Sequence, residues 1–113
     1  MSAGVVVHLL EAEPQRQAAV LRNVANLCSD LGPDVPVELV AHGGGVELVT
    51  GESGLGTGLA DVVTRGVVVL ACANTLDARD LTARALLPDV DTVPSGIGHL
   101  ARRQLDGWAY VRP

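Results

Sequence analysis

The chain has 113 residues, 48% of them apolar, with no Phe and a single Trp and Tyr, so its core must be built from Val, Leu and Ala. At this size about two-thirds of the unfolded surface is buried on folding, which suits one domain over residues 1–113 and makes association a useful source of further stability. A net charge of −5, with all eight basic residues arginine and no basic stretch, argues against nucleic-acid and anionic-membrane partners, whose affinity comes mostly from phosphate neutralisation.

The opening residues lack a basic cluster, and the apolar run that follows is broken by His8 and then by Glu11 and Glu13. It reads as a first strand, Val5 to Leu10, and not as a signal peptide. Pro14 suits the first turn of a helix whose Leu21, Val24, Cys28 and Leu31 share a face, and Gly32-Pro33 ends it. Val37 to Val40 is a second strand. Between His42 and Gly66 lie His42-Gly43-Gly44-Gly45, a short Val46 to Val49 piece, and a helix placing Leu59, Val62 and Val63 inward, with Gly66 just past its end.

The third strand is the wholly apolar Val67 to Cys72. A helix over about Leu76 to Leu87 is expected next, supported by an Asp80/Arg84 pair and stopped by Pro88. Val90 to Val93 is a fourth strand. Ser95 then caps a last helix carrying Ile97, Leu100, Ala101 and Leu105 on one face, and Trp108 to Arg112 is a fifth strand. Strands alternating with helices predict an α/β fold, a three-layer α/β/α sandwich around a mostly parallel five-stranded sheet. No segment approaches the ~20 apolar residues of a membrane span. Two cysteines so far apart are expected to stay reduced in a cytoplasmic protein.

Parallel strands end on one side, so Glu11, His42, Gly43, Cys72, Asn74, Pro94 and Ser95 are expected along one rim, the ligand edge of such sheets. Cys72 stands out there. A thiol placed just before a helix meets free N–H groups and the positive end of the backbone dipole, both of which favour the thiolate, with Asn74 and Thr75 close at hand. His42 is a candidate assisting base, and Gly43, Asn74, Thr75 and Ser95 are candidate substrate contacts.

Each residue also has a plainer role. Cys72 can be a small buried hydrophobe, and Cys28, on an inward helix face, is expected to be inert. His8 reads as a hydrogen-bonded core residue and His99 as solvated. The three histidines have no paired metal-ligand spacing, and no cofactor is indicated. Gly54-Leu-Gly56-Thr-Gly58 lacks the G-x-G-x-x-G spacing and there is no Lys for a Walker loop. His42-Gly43-Gly44-Gly45 is either an anion nest or a turn needing positive φ.

Several segments taken together resemble the DsrE/DsrF-like family over essentially the whole chain. They are Val37-Glu38-Leu39-Val40-Ala41-His42-Gly43, Arg65 to Thr75, Val93-Pro94-Ser95-Gly96-Ile97, and Gln104 to Pro113. Position matches Cys72 to that family's functional cysteine. The resemblance implies a cytoplasmic sulfur-relay protein, sulfurtransferase-like, that carries sulfane sulfur as a persulfide on Cys72 and exchanges it with partner chains. It also implies a homo-oligomer, a trimer or hexamer, and Trp108 and Tyr110 in the final strand are candidate interface aromatics. The alternative is a small-ligand-binding or assembly module of the same fold, without turnover.

Overall fold

The computed structural model describes residues 3–113. β1 (Val5–Leu9), β2 (Val37–Ala41), β3 (Val68–Cys72), β4 (Val90–Val93) and β5 (Ala109–Val111) form one wholly parallel sheet in the order β4-β3-β2-β1-β5. Around it lie α1 (Pro14–Leu31), α2 (Val46–Val49), α3 (Gly56–Thr64), α4 (Ala73–Ala78) and α5 (Gly96–Leu105), with 3₁₀ turns at Gly43–Gly45 and Ala83–Ala85.

Strand side chains alternate between two unequal layers. Val5, Val7, Leu9, Leu39, Ala41, Val69 and Ala71 face the larger core, where they meet Val20, Leu21 and Val24 of α1, Val46, Leu48 and Val49 of α2, and Leu59 and Val62 of α3. On the other parity Val6, Val40 and Leu70 meet Leu100 of α5, with Val93 and Trp108 at the margin. The connections explain the asymmetry. Stepping from β1 through to β4 with right-handed crossovers leaves the intervening helices on one face, whereas the return from β4 to β5 carries α5 to the other. The result is the three-layer α/β/α sandwich expected, with one layer made by a single helix.

Three local expectations need correction. The helix after β3 begins at once, at Ala73, and stops at Ala78 without reaching Leu87. Asp80 adopts a left-handed φ of 57°, its amide donates to the Asp77 carbonyl, and the Leu81 amide donates to the Leu76 carbonyl. This is a Schellman closure with Asp in the place usually held by Gly. The helical pairing of Asp80 with Arg84 is therefore lost.

The second correction concerns α5, whose Ser95 cap forms as expected, the hydroxyl accepting from the Gly98 amide at 3.0 Å. Of its expected apolar face Leu100 is buried, but Ile97 is 54% and Leu105 86% exposed, because no further layer covers their side of the helix. Polar ties hold α5 instead. Glu38 of β2 accepts Nε and a terminal nitrogen of Arg103 at 3.1 and 2.7 Å and lies 2.7 Å from His99 Nε2. His99 is thus mostly buried against a carboxylate and not solvated, and Arg103 also stacks 4.3 Å over the Trp108 ring.

Thirdly, α1 turns Gln17, not Leu31, into the protein. Gln17 is fully buried and its Nε2 donates to the carbonyls of Glu11 and Gly44, tying the loops that follow β1 and β2, while Leu31 is 38% exposed.

Candidate functional site

Helices leave the carboxyl ends of β3 and β4 toward opposite faces: Leu76 of α4 packs in the larger core, and α5 in the smaller. Such a switch point opens a crevice between adjacent strands. Cys72 is the last residue of β3 and pairs in register with Val93 of β4, so the thiol stands at that crevice on the α5 side. An open cleft of about 420 Å³ lies there. Its walls include His42, Gly43, Cys72, Asn74, Thr75 and Ser95, together with Ala78, Arg79 and Ile97, so all six residues singled out in the sequence meet around one space.

Cys72 is 3% exposed and occupies the N-cap position of α4 without a closed cap hydrogen bond. Burial pushes its thiol pKa up, but the Thr75 hydroxyl and the nearby amides of Gly96, Thr75 and Asn74 favour the anion and outweigh it, so the net shift is downward; the Asn74 amide also donates to the Pro94 carbonyl at 3.3 Å. The Thr75 hydroxyl oxygen accepts the Gly43 amide at 3.1 Å, which leaves its proton free to point at the sulfur. With only six residues, α4 contributes these local donors more than a long-helix dipole.

The glycine run is a turn and not an anion nest. Gly43 has φ 58°, its amide is engaged by Thr75, and the Gly45 amide donates to the His42 carbonyl. Gly96 matters for another reason. A Cβ there would stand 3.1 Å from the His42 Cβ and 3.2 Å from the Cys72 Cβ, so a bare backbone is what lets the start of α5 close over both residues.

Two features escape a reading of the chain alone. His8, on β1, is hydrogen-bonded as expected, but its partners are Tyr110, 102 residues away, and His42. The second is the Glu38, His99 and Arg103 cluster that seats α5. Alternation within β1 and β2 signals that His8 and Glu38 share the Cys72 face, but without strand order it cannot show what meets them. Glu11, also expected on the rim, lies outside the cleft wall and pairs with Arg112 at 2.9 Å.

No helix among the described residues is long and apolar enough to cross a membrane. The family model for the DsrE/DsrF-like family matches residues 4–113. No curated protein matches the chain. Among solved structures, the protein of unknown function MTH1491 from Methanobacterium thermoautotrophicum is similar at 39% identity and a TM-score of 0.92, covering 99% of this chain and 100% of that one. The ychN protein from E. coli is similar in fold, at 17% identity and a TM-score of 0.76, with 100% of both chains covered. With its parallel sheet, its order of elements and this full-length match, the chain belongs to the DsrE/DsrF-like family.

Proposed function

We propose that Cys72 carries sulfane sulfur as a persulfide in a cytoplasmic sulfur relay. Family membership supports a sulfur-relay-related role in general. The observation that carries the finer reading is the placement of a buried Cys72 at the N-cap of α4, in a cleft with Thr75, where the Thr75 hydroxyl and nearby amides favour the nucleophilic thiolate. In the transfer, the Cys72 thiolate attacks the outer sulfur of a donor persulfide R–S–SH. The donor S–S bond breaks, a new one forms at Cys72, and R–S⁻ leaves; attack by an acceptor thiolate on the loaded Cys72 discharges it. His42 is the assisting base, and Gly43, Asn74, Thr75 and Ser95 line the space for the donor.

The test is intact mass spectrometry after exposure to a low-molecular-weight persulfide. A gain of one sulfur, about 32 Da, mapping to Cys72 and lost in Cys72→Ser is expected. The near-complete burial of the sulfur favours one other reading, a ligand-binding or assembly module without turnover, and an unmodified Cys72 would leave that one standing. On either reading we infer a homo-oligomer, because Val68, Ile97, Leu105 and Tyr110 remain exposed on the side covered by α5 alone; the family resemblance makes that a trimer or a hexamer of two trimers. A concentration-independent monomer mass in light scattering would remove it.

A further inference from the structure

The Cys72 cleft is connected to the surface by a line of side chains. His42 is on the cleft wall, its Nδ1 lies 3.1 Å from His8 Nε2, and His8 Nδ1 lies 2.7 Å from the Tyr110 hydroxyl. His8 is 5% exposed, and Tyr110 at the far end is 41% exposed. The sheet imposes the arrangement, since β1 lies between β2, which leads directly into His42, and β5, which carries Tyr110.

We propose that His42, His8 and Tyr110 form a proton conduit between the Cys72 cleft and solvent, with His8 and Tyr110 as positioning residues that act through His42. The proposal rests on the thiolate reading above. Each contact in the line holds a single proton, so the tautomer of one ring sets that of the next. Two polarities satisfy every group. In one, His42 Nδ1–H donates to His8 Nε2, His8 Nδ1–H donates to the Tyr110 oxygen, and His42 Nε2 is a bare acceptor. In the other, Tyr110 donates to His8, His8 donates to His42, and His42 Nε2 carries a proton. Passage from the first to the second moves one proton from the Cys72 thiol, through water in the cleft that both residues line, to His42 Nε2, one from His42 to His8, one from His8 to Tyr110, and one from Tyr110 to water. All three side chains end neutral, the cleft beside the thiolate gains the His42 Nε2–H as a donor, and protonation of the sulfur runs the line backward.

A neutral relay is what this environment favours. Burial lowers the pKa of His8, and the positive charges of His42 when protonated and of Arg112 lower it further, against a smaller opposing effect of Glu11. Glu11 is itself engaged by Arg112, and on the α5 side Glu38 is engaged by His99 and Arg103. Among the described residues no carboxylate is hydrogen-bonded to His8 to hold an imidazolium there, so a charge is better passed on than stored.

The experiment combines long-range nitrogen–proton NMR of the imidazole rings with the pH dependence of Cys72 alkylation, in the unaltered chain, in Tyr110→Phe and in His8→Gln. Tyr110→Phe keeps the ring and removes only the hydroxyl, so it decides the matter if His8→Gln does not fold. In the unaltered chain, complementary tautomers at His8 and His42 that change together as Cys72 ionises are expected. Tyr110→Phe should break that order and slow alkylation about fivefold near neutral pH, with no change at high pH where the thiol is fully ionised. Independent titration of the two rings, or an unaltered pH profile in Tyr110→Phe with a reactive Cys72, overturns the conduit and leaves the carrier reading intact. Coupled rings beside a Cys72 that is inert in every variant overturn the carrier reading, and the conduit with it.

Discussion

The two ends of the sheet each hold a cleft and one cysteine, and the two thiols are set up in opposite ways. At the carboxyl edge Cys72 borders about 420 Å³, while at the amino edge Cys28 borders about 360 Å³ together with Arg65 and the turn at Gly32 and Pro33. Burial pushes both thiols up. At Cys28 it prevails, opposed only by the charge of Arg65, and the pKa is raised; at Cys72, the more buried of the two, hydrogen-bond donors reverse it. Chain direction explains the contrast. The carboxyl edge of a parallel sheet is where helices begin and turn their N–H groups outward, whereas Cys28 lies in the last turn of an eighteen-residue helix, among carbonyls at the negative end of its dipole. Donors, and not exposure, set the opposite directions in which the two thiols are shifted.

The largest expected effect is the contrast itself. Alkylation of the native protein near neutral pH, read by peptide mapping, should modify Cys72 more than about tenfold faster than Cys28. Equal rates would break the comparison and remove the carrier reading.

Next in size is the contribution of a single donor. Thr75→Val should raise the Cys72 pKa and slow its alkylation about fivefold near neutral pH without affecting Cys28, and Thr75→Ser should restore the rate. If Thr75→Val leaves Cys72 unchanged, the backbone amides alone account for its shift.

The smallest effect concerns the roof of the Cys72 end. Burial pushes Glu38 up, but its bonds to Arg103 and His99 prevail and its pKa is lowered. A carboxylate depressed in the folded state contributes stability that is present above its unfolded value, about 4.3, and is lost as pH falls through the folded one. Acid should therefore release α5 before α1, seen as earlier loss of amide protection over Gly96–Leu105 than over Pro14–Leu31. Glu38→Gln should cost about 1 kcal/mol near neutral pH, measured by denaturant unfolding. Simultaneous loss of both helices would mean that the two ends are not separately seated.

Much of this frame is readable in the chain because apolar runs such as Val67 to Cys72 mark central parallel strands, and because parallel strands share a carboxyl edge. That rule groups Glu11, His42, Gly43, Cys72, Asn74, Pro94 and Ser95 on one rim, and all of them but Glu11 and Pro94 line the cleft. Periodicity does not reveal contacts that depend on strand order. The pairing of His8 with Tyr110 needs β5 beside β1, and the end of α4 needs an Asp to accept the left-handed conformation that a reader assigns to Gly. Leu105 misleads for a related reason: a helical face signals an apolar stripe, but not whether anything lies against it.

The pairing of β1 with β5 joins residues more than a hundred positions apart and has a consequence for how the molecule is made. Such a contact carries a large loop-closure cost and forms late, so the sheet is finished only when its last strand arrives. Until then β1, one of the most apolar segments of the chain, is an open edge ready to pair with a second nascent copy. Once paired, the three residues Ala109–Val111 replace the apolar edge of β1 with a shorter one, and a chain stopped ahead of them is expected to keep most of its core with β1 open to a neighbour.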